Sequence, residues 1–236
     1  MNLSTMKNLN FDNYLFRCSS LGDLMANGRG KDTMGATCIN KLNEIFIKEK
    51  YGREREIEND YLEKGTLQEP VSLTLLSDVD KRLYLENKKQ FKNDFIKGRP
   101  DSLPTQVDKF PDIKTCWDIF TFFKSELTDK YEFQLRGYMW LTGRKESEIV
   151  YTLVNTPEHL IEREEARCFY KMGVADREDS VYKLACVEIR KCMIFDDIPK
   201  EERIKRFPVT HDEEKIEQLK ARLIECRKYL NELTTK

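Results

Sequence analysis

The sequence predicts an α/β, or α+β, fold in which a small mixed β-sheet is flanked by helices. Three observations predict it. Helical and strand-like periodicities follow one another in the order helices, hairpin, strand, helix pair, strand and helices, a pattern that packs as layers. The 236 residues hold only ten glycines and seven prolines, with no repeat and no low-complexity tract, so no long linker separates bodies. No apolar run approaches the roughly 20 residues that cross a bilayer, and the opening MNLSTMKNLNFDNYLF has no basic segment followed by an apolar one. A soluble, cytoplasmic protein with no membrane partner is expected.

Each element has its own signal. Ile39, Leu42, Ile45 and Phe46 recur at helical spacing in residues 36–50. A second helix is expected from about Gly65, carrying Leu67, Val71, Leu75 and Leu76. RLYLEN and QFKNDFIK, within 82–97, read as the two strands of a hairpin turning near Lys88 and Lys89. PDIKTC is a short strand, followed by an aromatic helix from about Trp117 and another from Lys130 to Leu141, stopped by Gly143. Trp117, Phe120, Phe122, Phe123 and Trp140 read as core aromatics. EIVYTLVN alternates as a strand, bounded by Pro157. The rest reads as helical. Glu158 to Met172 is charged and amphipathic, and after a Thr210–Glu213 capping box the last helix repeats Ile216, Leu219, Leu223, Cys226, Leu230 and Leu233 in three- and four-residue steps. That seam is expected to pack on its own domain.

Charge is high but balanced, with 41 Lys and Arg against 42 Asp and Glu and a net charge of -1, so any basic groove must be local. Seven cysteines without a C-x-x-C fit reduced thiols. The spacings of Cys168, Cys186, Cys192 and Cys226 are too irregular to favour an iron–sulfur cluster. There are only two histidines, His159 and His211, both late in the chain, which argues against Ser-His-Asp or Cys-His catalysis and against a His-rich zinc site. Catalysis is left to carboxylates and lysines.

The candidate site is GRPDSLPTQVDKFPDIKT, residues 98–115. Side chains alternate along a strand, so Asp112 and Lys114 point one way and Ile113 points into the core. Asp101 follows Pro100, eleven residues before Asp112. Two carboxylates brought together repel unless a divalent cation neutralises them, and oxygen ligands suit Mg²⁺ or Mn²⁺. That is the arrangement of metal-assisted phosphodiester hydrolysis, in which Lys114 orients or deprotonates water and offsets transition-state charge. An acid-x-Lys triplet also occurs at Glu86 and Glu213, so the signal lies in the joint pattern with Pro-Asp and with the acid and Gln134 on neighbouring helices.

GTLQEP at 65–70, GRPDSL at 98–103, PDIKT at 111–115 and YEFQLRGYMWLTG at 131–143 together resemble the PD-(D/E)XK nuclease superfamily. Within it, the likeness is to phage-type, lambda exonuclease-like (YqaJ-like) recombination nucleases. It covers about residues 14–155 and includes NYLFRCSSLGDLM near the start. The resemblance implies a restriction-endonuclease-like core, with residues of about 156–236 as a helical C-terminal extension of a single domain. It implies that Asp101, Asp112 and the backbone carbonyl of Ile113 bind metal, and that Glu69 helps to hold a second ion. Lys114 is implied as the catalytic lysine, Gln134 as the supporting glutamine with Tyr131 one turn earlier, and Ser19 or Ser20 as the phosphate contact, with Arg17 adding charge. Two departures stand out: Pro111 replaces the usual aliphatic residue before the second acid and favours an edge strand, and Asp112 stands where Glu is commoner.

The expected activity is a Mg²⁺-dependent deoxyribonuclease, an exonuclease on double-stranded DNA ends in phage or prophage recombination, acting in a bacterial cytoplasm. A structure- or site-selective endonuclease on the same core is one alternative. A non-catalytic DNA-binding or assembly subunit is another. The resemblance also implies homo-oligomeric rings and a single-strand annealing protein as partner. DNA binding requires a local basic surface, expected around Arg17, Lys88, Lys89, Lys97 and Arg99.

Overall fold

The computed structural model describes residues 9–30, 33–55 and 59–235. The reading of the chain's start rests in part on residues 1–8, which lie outside the described residues. Among the described residues no helix is long and apolar enough to cross a membrane. The fold is mixed α/β with eight α-helices and two three-stranded mixed sheets among the described residues, where the sequence predicted one sheet.

The first sheet is formed by β1 (Phe16–Arg17), β2 (Phe91–Lys92) and β3 (Ile96–Gly98) in the order β1-β3-β2, with β1 parallel and β2 antiparallel to β3. The hairpin lies within QFKNDFIKG, residues 90–98. Asn93 folds the chain back, its Oδ1 accepting from the backbone N–H groups of Phe95 and Ile96, a local turn that Asn side chains favour. RLYLEN is not its partner strand and contributes only a single bridge, Glu86 to Ser102.

The second sheet, β4 (Phe110–Thr115), β5 (Glu146–Thr152) and β6 (Ile204–Thr210), runs in the order β4-β5-β6, with β4 parallel and β6 antiparallel to β5. β6 corrects the reading of everything after residue 156 as helical. IKRFPVT lacks strand-like alternation of burial and contains Pro208, yet an edge position tolerates proline because one row of N–H groups has no ladder partner. Pro111 on the opposite edge follows the same rule. The two prolines flank Glu148 in register.

Helices α1 (Leu21–Leu24), α2 (Ala36–Tyr51), α3 (Asp60–Asp80), α4 (Ile119–Lys124) and α5 (Asp129–Thr142) belong to the first two thirds of the chain. α3 starts five residues before the expected Gly65. Asn59 caps it by accepting from Tyr61 N, and Leu67 and Val71 are exposed while Leu73, Leu75 and Leu76 are buried. α5 packs against both β3 and β5 and so joins the two sheets; Gly143, at φ 75°, ends it as expected. α6 (Glu158–Met172) and α7 (Ser180–Met193) pair as a hairpin. α8 (Glu213–Thr234) is capped by Asp212, not by Thr210, which is the last residue of β6. Its Ile216, Leu219, Leu223, Cys226 and Leu230 are all buried, and the last four join the main core with Phe16, Ile96, Leu135 and Ile149. Glu148, buried on β5, is held by Lys109 at 3.0 Å and Arg206 at 2.7 Å, and Arg206 reaches Asp80 of α3 at 2.6 Å.

Candidate active site

β4 builds the centre. Its register with β5 and β6 sets two cross-strand rows on one face, Asp112–Ile149–Phe207 and Lys114–Tyr151–Lys205. The opposite face carries Ile113 and Val150 into a cluster with Leu73 and Leu76 of α3. The period-two reading therefore holds: Asp112 and Lys114 share a face, and Ile113 is core.

The Asp112 carboxylate is fully buried, and α5 supplies its partner. Gln134 Nε2 donates to Asp112 Oδ1 at 2.9 Å and lies 3.3 Å from the Tyr138 hydroxyl. Lys114 Nζ stands 2.6 Å from Asp112 Oδ2, an ion contact without hydrogen-bond alignment, so that Oδ2 is a buried acceptor with no hydrogen bond. The Tyr131 ring lies 4.7 Å from the same ammonium. Gln134 and Tyr131 are thus brought together with Asp112 and Lys114. Burial disfavours the charged form of Lys114, yet Asp112 and Asp101 outweigh it and raise its pKa, so it is an ammonium at neutral pH in this arrangement.

Asp101 is fixed from the other side. Its Oδ2 accepts from Ile113 N at 2.7 Å, capping an N–H on the outer edge of β4. Burial and the neighbouring charge of Asp112 push its pKa well above the usual carboxylate range. The Pro100–Asp101 turn is itself clamped by Asn87, whose backbone N–H donates to Asp101 O at 2.7 Å and whose side-chain amide donates to Pro100 O at 2.9 Å. The sequence placed Asn87 at the end of a hairpin strand and gave no sign of this clamp.

Glu69 comes from α3. Ser72, one turn later, shares a hydrogen bond of 3.0 Å with Thr115 and accepts from Thr152 at 2.8 Å, which anchors the helix to β4 and β5. Burial raises the Glu69 pKa, opposed by Arg99 and reinforced by Glu86 and Asp112. Among the described residues no three His, Cys, Asp or Glu side chains gather closely enough to hold a metal, so Glu69, Asp101 and Asp112 do not converge as one cluster. A single Mg²⁺ needs only one or two carboxylates and keeps several waters. Asp112 Oδ2, met only by the Lys114 ammonium at 2.6 Å, and Asp101, whose charged form burial and Asp112 disfavour, fit that demand.

Ser19 and Ser20 lie in a 3-10 turn, Cys18–Ser20, that packs on α5. Ser19 is exposed and Ser20 buried. The approach is close: a Cβ on Gly98 would come within 2.6 Å of Tyr138 Cε1 and 2.7 Å of Cys18 Sγ. Cys18 in turn lies near enough to Asp112 for that charge to reinforce the burial that raises its thiol pKa. Of the expected basic surface, Arg17, Lys88, Lys89 and Lys97 carry no ion pair among the described residues, whereas Arg99 is paired with Glu86 at 3.4 Å. Trp117 and Phe122 are buried and Trp140 packs on the core, but Phe120 and Phe123 are 61% and 80% exposed, correcting their reading as core. α4 is a six-residue helix capped by Asp118 and Thr121, too short to bury both faces.

Solved structures of exonucleases are similar to this fold. A phage-related exonuclease from Haemophilus somnus 129PT superposes with a TM-score of 0.76 at 23% identity, covering 94% of this chain and 96% of that one. An alkaline exonuclease from Laribacter hongkongensis matches with a TM-score of 0.61 at 15% identity, covering 95% and 91%. The complex of the same enzyme with dAMP matches at 0.59 and 14%, covering 94% and 90%. No protein-family model and no curated protein sequence matches the chain. The chain adopts the fold of these exonucleases.

Proposed function

We propose that the protein is a divalent-metal-dependent DNA nuclease, acting as an exonuclease on double-stranded ends in phage or prophage recombination. One observation carries the reading: on the fold of exonucleases, the buried Asp112 carboxylate is faced by Asp101, Lys114 and Gln134, with one oxygen left without a hydrogen bond. Asp101, Asp112 and the Ile113 carbonyl are assigned to hold Mg²⁺ or Mn²⁺, and Glu69 to serve a second ion. Bound there, such ions supply Lewis-acid polarisation of a phosphoryl oxygen and a more acidic water.

The chain's own groups do the rest. Gln134 holds the Asp112 carboxylate in plane, and Asn87 holds the turn that presents Asp101. Lys114, an ammonium steadied by Tyr131, places positive charge where a phosphoryl group gains negative charge. Ser19 or Ser20 is assigned to the substrate phosphate, with Arg17 beside it. Exonuclease neighbours, one of them solved with dAMP, favour this reading over a non-catalytic subunit.

End-labelled linear duplex incubated with and without Mg²⁺ tests it. Degradation should need the metal, and Asp112→Ala or Lys114→Ala should lower the rate about 100-fold or more while circular dichroism stays native. Full activity in both variants would overturn the site. Cleavage of closed circular DNA would overturn the exonuclease claim and leave an endonuclease.

A further inference from the structure

We propose that the outer face of the β1-β3-β2 sheet is a track for the sugar–phosphate backbone of a nucleic acid, with Arg17, Lys97 and Lys92 as its cations. The identity of the polyanion rests on the nuclease reading above. In the register of this sheet Arg17 stands opposite Lys97, and Lys97 opposite Lys92. Three cations therefore form one row across three strands, on the face away from the buried Phe16 and Ile96. Like charges directly opposed across strands destabilise a sheet, and none of these three has an ion-pair partner among the described residues. Glu54, the acid that senses Arg17, is engaged instead by Lys48 at 2.6 Å.

A row that costs the fold stability and has no ion-pair partner among the described residues is matched by an external polyanion. Strands lie about 4.8 Å apart, so the row spans roughly 10 Å, about three steps of a duplex strand at 3.4 Å each. It also leads to the acids. Lys97 is four residues before Asp101, a reach of at most roughly 14 Å, and Arg17 is followed directly by Cys18, the buried thiol beside Asp112. Lys88 and Lys89 continue the positive surface in the segment just before β2.

The test is an anisotropy titration of a fluorescent 20-base-pair duplex in EDTA, which separates binding from cleavage, repeated over a range of salt. Each lost phosphate contact makes the slope of log K against log salt shallower by about 0.9, so Lys92→Ala/Lys97→Ala should flatten it by about two. Lys92→Glu, at an exposed position, should weaken binding further. Lys191→Ala, which removes a cation on α7 already paired with Glu188, should change nothing. Because the substitutions relieve repulsion, the melting temperature should hold or rise, which a purely structural role for these lysines would not produce. An unchanged slope in the double variant overturns the track, and so does a polyglutamate chain of equal charge binding as tightly as the duplex. If the slope flattens in a protein that never cleaves DNA, the track stands and the nuclease reading falls. If DNA is cleaved and the slope is unchanged, the reverse holds.

Discussion

Asp112 is the buried carboxylate around which the proposed site is arranged. A carboxylate with no exposure to water is tolerable only when its charge and acceptors are matched, and here Gln134 and Lys114 divide that task. Gln134→Ala removes the donor and leaves Oδ1 buried without a partner. It should lower stability by about 1–3 kcal/mol in urea unfolding and lower nuclease activity, whereas Gln134→Glu, which brings a like charge to Asp112, should be worse on both counts. Asn87 works at one remove. Asn87→Ala should leave the fold intact and reduce turnover by loosening the Pro100–Asp101 turn, with the loss appearing in kcat and not in duplex affinity; an unchanged kcat would show that the turn holds without it. Gln134 came from the resemblance, and the shared face of Asp112 and Lys114 was legible in the sequence, because strand alternation is a local rule. Asn87 was not, since its partners lie 13 and 14 residues away and nothing local marks an amide that donates to a distant carbonyl.

Helix α3 shows how an element that supplies one side chain to the proposed site is anchored beside it. Ser72 fixes it to β4 and β5, and Lys64, only 1% exposed, ties its first half to the chain after β4 by donating to Trp117 O at 2.8 Å. The ammonium also lies over the Phe195 ring at 5.5 Å. Burial drives the Lys64 pKa down to about 7, against a weaker opposite pull from Cys116 and Asp118. A lysine whose folded pKa is depressed is charged in the unfolded chain but neutral in the folded one between about pH 7 and its ordinary value near 10.5. The unfolded state then binds more protons, so stability rises with pH across that window, by up to about 1.4 kcal/mol per unit. Lys64→Met should flatten that rise in urea titrations at pH 7, 8 and 9; an equal slope in wild type and variant would place the proton elsewhere. The helix itself was expected, but its first turn was not, because Asn59 caps it ahead of the apolar residues, Leu67 onward, that marked it in the sequence. Of the four apolar residues in that pattern, Leu67 and Val71 turned out to face solvent, and Leu75 and Leu76 are buried.

For the whole molecule, the decisive difference between sequence and structure is β6. A segment read as part of a helical appendage supplies the third strand of the sheet that carries Asp112 and Lys114. Its signal was masked because an edge strand can hold Pro208 and can leave one face half-exposed, so neither alternation nor apolar content marks it. The seam of α8, by contrast, was read correctly, since a buried stripe on a long helix is a strong periodic signal. Together β6 and α8 have consequences for how the chain must be cut. β6 pairs with β5 along its full length, and Arg206 links Glu148 of β5 to Asp80 of α3. Leu219, Leu223, Cys226 and Leu230 belong to the same core as Ile149 and Leu135. Removing residues 204–236 would expose β5 as a new edge, strip the counter-charge from a buried glutamate and open the main core, each a cost of several kcal/mol. Against the 5–15 kcal/mol that typically stabilises a domain, the truncated chain should fail to fold, giving a far-UV spectrum without cooperative melting and no metal-dependent cleavage. A cooperative, active fragment ending at residue 203 would show instead that the core before residue 156 is self-sufficient. Within the full-length chain, Leu223→Ala probes the same dependence more gently, and should cost about 2–5 kcal/mol while leaving the rate per folded molecule unchanged.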